Sequence, residues 1–265
     1  MPSILRPTPA QTTRRLVVLA LTILSILVAY GQMAGGWGQT PGEFAADSDA
    51  TVRVADYAFS IWGVIFLGLL VYAVRQALPQ TGESGPINRL GWPSAVTFLG
   101  LSLWIVASAA DWEAATVVII FAALLAVAVP LAIYSPMLRA LPRGDRDRWM
   151  TLWPLSLLAG WLTIAAPVNL ITVATGNGAL PGGFPPTGWA MAAIVLVVGA
   201  ALVMTRQLRI LAYALPVAWG LIGVFAAELE RNSALAFFAL AAAIAALVGA
   251  IVLTFRLRPG VERAA

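Results

Sequence analysis

The chain has 265 residues, of which 60% are hydrophobic and only 11% are charged, and its mean hydropathy is +0.88. A soluble protein could not bury so large an apolar excess, so the composition indicates a polytopic membrane protein. The sequence contains no Cys, His or Lys, and all 16 basic residues are Arg. Disulfides, thiol chemistry, His ligation of metal or haem and a retinal Schiff base are therefore excluded. Every carboxylate lies near the end of an apolar segment, so we expect no enzyme and no metal site.

Eight apolar segments, each long enough to cross a bilayer as a helix, follow one another along the chain. They comprise residues 16–33, 57–77, 92–110, 114–138, 150–173, 187–205, 210–227 and 234–255. The sequence therefore predicts an all-α transmembrane bundle of about eight helices. Residues 1–13 are polar with three prolines and are expected to be disordered, and residues 256–265 are expected to form a basic tail. Pro216 lies in the middle of the seventh segment and predicts a kink there.

The arginines and the carboxylates are distributed unevenly among the connecting segments. If the N-terminus is cytoplasmic, fourteen arginines fall in cytoplasmic segments and only Arg53 and Arg231 fall outside. This asymmetry follows the positive-inside rule and predicts a multi-pass protein of the cell membrane with both termini in the cytoplasm. The sequence pI of about 10.1 then reflects loops beside anionic lipid headgroups, so we expect the lipid bilayer and no nucleic acid as a partner.

The second apolar segment is aromatic in its first half. It opens at Asp56 and Tyr57, and Phe59, Trp62 and Phe66 follow at i, i+3 and i+7, so these three side chains share one helix face. Two interpretations stay open. The aromatic residues form either an interfacial belt with bundle packing, or one wall of a flat pocket lined by rings.

Further candidates for such a pocket lie in the third and fifth segments. At about 1.5 Å per residue, Trp62, Trp104 and Asn169 lie roughly 8–10 Å below the outer surface. Trp161 is eight residues deeper on the same helix as Asn169. Aromatic rings and one amide from three helices would thus converge, as an apolar pocket with a few orienting polar groups requires. The alternatives stay open that the tryptophans are belt or core residues and that the Asn169 amide satisfies a carbonyl freed by Pro167.

Taken in order, these features resemble the TspO or peripheral benzodiazepine receptor family of tryptophan-rich sensory and translocator proteins. Phe59, Trp62 and Phe66 match F-x-x-W-x-x-x-[YF] after an acidic loop, and Leu103-Trp104 precedes a very short hairpin. The fifth segment, WPLSLLAGWLTIAAPVNL, ends like the family's W-x-A-T-A-x-x-x-N. The resemblance covers residues 14–175, so residues 187–255 would form three additional helices.

The resemblance implies a five-helix bundle whose cavity binds flat hydrophobic ligands such as porphyrins. The ligand-binding residues it implies are Tyr57, Phe59, Trp62, Phe66, Trp104, Trp161 and Asn169. It implies no cofactor, unless the ligand is itself a bound tetrapyrrole. The chain departs from the family in its first loop, where Trp37 is the lone tryptophan and the double proline is missing, and at Thr97 and Leu101, where Gln and Asn are expected. These departures do not favour porphyrin photochemistry through the loop tryptophans.

Three functions stay open at this point. The favoured one is binding of a flat hydrophobic small molecule, with sensing or transport of it. A secondary transporter of a small amphipathic solute would show inverted repeats and buried charge, which the sequence lacks. A scaffold for other membrane complexes, or a homodimer, could use the small residues Ala241, Ala245 and Gly249 of the last segment.

Two expectations concern the outer side of the bundle. The long acidic loop of residues 35–56 is expected to act as a mobile lid over the outer mouth of the cavity. Glu228 and Glu230, at the outer end of the seventh segment, are expected in a solvated loop rather than in proton coupling.

Overall fold

The computed structural model describes residues 7–46 and 51–255, and all long secondary-structure elements in these ranges are helices. Eight helices in this described part are long and apolar enough to cross a membrane, which confirms the predicted all-α bundle. The long helices are α1 (Pro9–Gly35), α3 (Ile61–Ala77), α4 (Gly85–Ala109), α5 (Glu113–Ile133), α7 (Trp153–Gly176), α8 (Pro186–Leu208), α9 (Ala214–Glu228) and α10 (Ser233–Phe255). Short helices α2 (Pro41–Ala46) and α6 (Ser135–Arg139) lie between them. A 3-10 turn at Asp56–Ser60 leads into α3, a π turn at Arg148–Leu152 into α7, and a 3-10 turn at Leu211–Tyr213 into α9.

Five of the long helices form a closed ring. Helix α1 packs against α3 and α4, α3 packs against α7, α7 against α5, and α5 against α4. All five are apolar around most of their circumference, so one side of each can face the ring and another can face lipid. Exposed residues such as Leu27, Leu67 and Val118 lie on the lipid-facing sides.

Helices α8, α9 and α10 pack outside the ring. Helices α8 and α9 both contact α7, and α10 contacts α8 and α9. Helix α9 begins very close to α7. A Cβ atom on Gly160 of α7 would collide with the backbone of Tyr213, which directly precedes α9. The Tyr213 and Thr163 hydroxyls are also hydrogen-bonded, at 2.8 Å. The additional helices are therefore seated on the ring and are not loosely appended to it.

Small residues of α10 explain its close packing within the chain. The buried stripe consists of Ala236, Ala239, Ala243, Ala246 and Ala250. Of the small residues noted in the sequence, Gly249 faces the side chain of Leu202 in α8, whereas Ala241 and Ala245 are exposed. A homodimer through α10 stays a prediction.

Buried arginines close one end of the ring, which we call the arginine end. Arg14 Nη2 donates a hydrogen bond to Asn88 Oδ1 at 2.7 Å, and Arg15 Nη2 donates to the Thr81 carbonyl at 2.7 Å. The Gln76 amide donates in turn to the Arg15 carbonyl at 2.8 Å. Arg14 thus ties α1 to the start of α4, Arg15 ties it to the connection between α3 and α4, and Gln76 ties it to α3. A guanidinium group presents several fixed donors, so each arginine can bind more than one acceptor at this end.

Two predictions about local order are wrong. Residues 9–13, expected to be disordered, form the start of α1, because Thr8 and Gln11 make a capping box and Pro9 occupies the first helical position. Pro216 does not kink a helix at its middle, because it lies in the first turn of α9 and needs no helical hydrogen bond there. Residues 1–6 and the predicted basic tail of residues 256–265 lie outside the described residues.

Two helix boundaries also differ from those predicted. Helix α4 begins seven residues before residue 92, because Ser84 caps it by accepting a hydrogen bond from the Ile87 backbone N–H at 3.2 Å. Helix α5 ends at Ile133 instead of continuing to residue 138. Pro136 accounts for this end, since it has no backbone N–H with which to continue the hydrogen bonds of α5, and it lies instead in the first turn of α6.

Candidate functional site

A cavity of about 680 Å³ lies inside the ring, at the end opposite the arginine end. Each of the five ring helices contributes side chains to its wall, and the short helix α2 lines its outer part. We call this end of the ring the lid end. A residue of α9, Gly220, also reaches the cavity, between Trp161 and Ile164. The volume is in the range of about 300–1,000 Å³ that is typical of small-molecule sites.

Six of the seven predicted site residues line this cavity. They are Phe59, Trp62, Phe66, Trp104, Trp161 and Asn169. Tyr57 does not line it: its hydroxyl donates to the Ile222 carbonyl at 3.3 Å, and its ring meets Trp219 edge-on with centroids 5.6 Å apart. The physical reason is the 3-10 turn at Asp56–Ser60, in which side chains repeat every three residues instead of every 3.6. This turn directs Tyr57 toward α9.

Five rings on one side of the cavity touch in a continuous series, which we call the aromatic cluster. Trp62 stacks on Phe66, with centroids 5.1 Å apart and 27° between the planes. Trp161 meets both Trp62 and Phe59 edge-on, at 6.2 and 6.1 Å. Tyr30 of α1 completes the series against Phe66 at 6.0 Å. Stacked and edge-to-face pairs of this kind each contribute about 0.5–1.5 kcal/mol beyond their buried area, so the wall is held in one arrangement.

Asn169 links three helices at the opposite wall. Its Oδ1 accepts a hydrogen bond from Trp104 Nε1 at 2.7 Å, and its Nδ2 donates to Thr116 Oγ1 at 3.0 Å. The side chain is only 5% exposed. The amide thus fixes the indole of Trp104 by connecting α7 to α4 and α5. A direct contact of Asn169 with a ligand stays a prediction.

Trp62 contacts the deeper of the two predicted site residues of α7. It packs against Trp161, which lies eight residues before Asn169 in that helix, with ring centroids 6.2 Å apart. The common depth of Trp62, Trp104 and Asn169 stays a prediction.

Two aromatic residues that line the cavity, Tyr30 and Phe44, are absent from the predicted site. Phe44 belongs to α2, is 4% exposed and meets Trp104 edge-on with centroids 5.8 Å apart. A capping box orders α2: the Thr40 N–H donates to Glu43 Oε2 at 2.7 Å, and the Glu43 N–H donates to Thr40 Oγ1 at 3.2 Å. Hydrogen bonding of the Glu43 carboxyl to the backbone N–H and to the side chain of Thr40 lowers the pKa of this carboxyl. The sequence TPGE at residues 40–43 contains the T-x-x-E pattern, which predicts a helix start of this kind.

The sequence matches the family described as TSPO-like protein over residues 14–252. The chain belongs to this TSPO-like family. The match confirms the resemblance seen in the sequence and extends it, because the matched region also spans nearly all of α8, α9 and α10. No curated protein and no solved structure matches the chain.

In this TSPO-like chain, α9 holds residues 51–60, the segment that leads from the first loop into the cavity wall. The role of that loop as a mobile lid stays a prediction. Trp219 Nε1 donates to the Ala58 carbonyl at 2.8 Å, and the Ala55 N–H donates to the Gly223 carbonyl at 3.1 Å. The helix approaches so closely that a Cβ atom on Gly223 would lie 2.8 Å from the Ala58 Cβ. Helix α9 therefore fixes the 3-10 turn that carries Phe59 and leads into α3, where Trp62 lies.

Glu228 extends the same attachment, and its predicted place in a solvated loop is wrong. The side chain is 2% exposed, and its Oε1 accepts a hydrogen bond from the Arg53 N–H at 2.8 Å. Arg231 Nη1 lies 3.7 Å from the same oxygen. Burial is tolerable because the carboxylate gains a hydrogen bond and a nearby positive charge. Glu228 thus joins the end of α9 to residues 51–60 through Arg53.

Proposed function

We propose that this TSPO-like membrane protein binds a flat hydrophobic ligand, such as a tetrapyrrole, in the ring cavity, and that it senses or moves that ligand. The observation that carries the proposal is a cavity of about 680 Å³ bounded by the aromatic cluster and by Trp104. A planar ring system entering this space would meet aromatic faces and edges. A few polar groups at the cavity wall, among them Thr172 and Asn169, would orient it.

The walls favour binding because they are already ordered. Trp161 is 3% exposed and is held between Phe59 and Trp62, while hydrogen bonding to Asn169 fixes Trp104. Rigid side chains lose little conformational entropy when a ligand arrives, so more of the contact energy remains as affinity. Helix α2, which places Phe44 against Trp104, would have to move for a large ligand to enter.

The packed half of the ring favours binding or sensing over passage. Tyr72 and Phe98 are both 0% exposed and meet edge-on between the cavity and the arginine end. The Tyr72 hydroxyl is hydrogen-bonded to that of Ser94 at 2.9 Å. A secondary transporter, the alternative function, would have to open this core together with the Arg14 and Arg15 attachments. We therefore propose binding or sensing of the ligand in preference to its transport through the ring.

We further propose that the protein resides in the cell membrane with both termini in the cytoplasm. The support is the arginine asymmetry of the sequence, in which fourteen of sixteen arginines fall on one side. In this orientation the lid end of the ring would face outward.

Purification in a mild detergent tests the proposed function, because a co-purifying pigment would show itself in the absorption spectrum. Protein that carries no pigment is titrated with protoporphyrin dimethyl ester, an uncharged flat tetrapyrrole. We expect saturable binding with a shift of the porphyrin absorption band. Absence of saturation, compared with empty detergent micelles, would remove a tetrapyrrole as the ligand.

A further inference from the structure

We infer that the cavity selects its ligand by charge, and that it takes flat aromatic molecules bearing a positive group in preference to dicarboxylates of the same shape. This inference deepens the proposed function and rests on it. The selection would take place at the lid end of the ring, where a ligand would enter. It would separate planar ligands, tetrapyrroles included, by the charge of their side chains.

The first observation is the charge of the cavity lining. Among the described residues that line it, the charged side chains are two carboxylates, Glu43 and Asp56, and none is an arginine. A Cβ atom on Gly42 would lie 3.3 Å from Asp56 Oδ1, so Asp56 lies against α2 one residue from Glu43. Both side chains are exposed, at the outer part of the cavity. The Thr40 donors lower the pKa of Glu43, which keeps its carboxyl ionised at neutral pH.

The second observation is the charge of the whole lid end. By sequence, the helix ends and connecting segments on this side contain eight carboxylates and two arginines. The carboxylates are Glu43, Asp47, Asp49, Asp56, Asp111, Glu113, Glu228 and Glu230. Neither arginine of this side, Arg53 or Arg231, lines the cavity. A mouth surrounded by one sign of charge beside low-dielectric walls concentrates counter-ions, here cations, and repels anions.

The third observation is the chemistry below the mouth. The faces of Trp62, Phe66 and Trp161 attract cations through their ring quadrupoles, whereas a carboxylate there would find mainly apolar surface. Trp104 Nε1, a donor that could serve an anion, already donates to Asn169. A buried carboxylate without donors is strongly unfavourable. A flat cation can instead insert its rings among the aromatics and leave its charge beside Asp56.

A series of porphyrins with one macrocycle and different side-chain charge tests this inference. Protoporphyrin carries its two propionates as free acids, as methyl esters, or as amides that bear a tertiary amine. The dissociation constant of each for the full-length protein is measured at low and high salt in non-ionic detergent, with empty micelles as background. We expect the amine to bind at least about fivefold more tightly than the free acid, as one charge pair at contact in water allows. The ratio should shrink at high salt, because the mouth is exposed.

Variants assign the discrimination to the two carboxylates. Glu43→Gln combined with Asp56→Asn should bring the three dissociation constants together, and Gln can still serve the capping box of α2. Glu230→Gln is the matched control, because Glu230 is exposed at the same end and does not line the cavity. A free acid that binds as tightly as the amine, or an unchanged order in the double variant, overturns the inference and leaves the proposed function standing. Failure of all three porphyrins to bind overturns the inference and also removes a tetrapyrrole as the ligand of the proposed function.

Discussion

The indole nitrogen of Trp219 and the carbonyl oxygen of Ala58 lie 2.8 Å apart, joining residues separated by 161 positions in the sequence. The bond fastens a helix outside the ring to the turn that positions Phe59 and Trp62 in the cavity wall. Helix α9 consequently helps to determine the shape of the cavity. The family match through residue 252 agrees with this arrangement, because it treats the five ring helices and α8 to α10 as one unit.

The first prediction concerns this bond. Trp219→Phe keeps a ring against Tyr57 but removes the indole donor, so the Ala58 carbonyl keeps only its hydrogen bond from the Ile61 backbone N–H. We expect destabilisation of about 0.5–1.5 kcal/mol, the usual net contribution of one hydrogen bond. Thermal unfolding in detergent should therefore begin at a lower temperature, and hydrogen exchange of residues 51–60 should become faster.

Trp189→Phe provides the matched control. Its indole nitrogen also donates to a carbonyl, that of Pro181 at 3.0 Å, but this hydrogen bond is exposed to solvent. Water can replace the lost donor there, so the variant should unfold close to the wild-type temperature. Equal behaviour of the two variants would mean that α9 does not stabilise the cavity wall.

The second prediction concerns the buried carboxylate of Glu228. Glu228→Ala removes the acceptor of the Arg53 N–H and the carboxylate that lies 3.7 Å from Arg231, so we expect a loss of about 1–3 kcal/mol in the free energy of unfolding. Glu230 lies two residues away and its side chain is exposed. Glu230→Ala should therefore change the free energy of unfolding by no more than about 0.5 kcal/mol. The measurement is thermal or denaturant unfolding in one detergent. A solvated Glu228, as the sequence suggested, would make the two variants alike.

The pH response of the lid is the third prediction. The folded-state pKa of Glu43 is lowered by the Thr40 N–H and hydroxyl, so its contribution to α2 is present above the ordinary carboxyl pKa. That contribution is lost as pH falls through the lowered pKa. Because the chain has no native Cys, Ala45→Cys can report the opening of α2 by its reaction with dithiodipyridine, which proceeds at acid pH.

We expect labelling of Ala45→Cys to speed up on acidification relative to Ala179→Cys, an exposed loop position away from the lid. In a Glu43→Gln background this relative rate should no longer depend on pH, since the amide does not titrate. A pH dependence that persists in that background would assign the response to other groups.

Local sequence patterns predict much of this structure, and tertiary contacts account for what they miss. Apolar length alone predicts the eight spans, and helical spacing brings Phe59, Trp62 and Phe66 to one side. The orientation of Tyr57 could not be predicted, because a 3-10 turn replaces the α-helix at that point and changes the repeat. The burial of Glu228 depends on Arg53, 175 residues earlier, and no local pattern reports such a contact.

The fourth prediction concerns orientation in the membrane. Gly144 lies in the exposed connection between α6 and α7, and Ala179 lies in the exposed connection between α7 and α8. With both termini in the cytoplasm, an impermeant maleimide should modify Ala179→Cys in intact cells and Gly144→Cys only after lysis. A Cβ atom on Gly144 would meet no neighbour within 4 Å, so this substitution should not disturb the fold. The reverse labelling pattern would invert the proposed topology.

The last prediction tests the aromatic cluster as the ligand site. Trp62→Ala removes the ring that stacks on Phe66 and meets Trp161, so a planar ligand loses both apolar area and aromatic contact. Binding of protoporphyrin dimethyl ester should weaken about tenfold or more, since each aromatic pair contributes about 0.5–1.5 kcal/mol beyond the buried area. Trp189→Ala is the control, because Trp189 lies in α8 and does not line the cavity.

Affinities are compared through the porphyrin absorption band rather than through tryptophan fluorescence, because both variants remove an indole. Thermal unfolding first establishes that each variant is folded, since deleting a large side chain can itself cost about 3–5 kcal/mol of stability. A folded Trp62→Ala protein that binds as tightly as wild type would show that the ligand does not contact the aromatic cluster. A Trp189→Ala protein that binds as weakly as Trp62→Ala would place the site outside the ring, against α8.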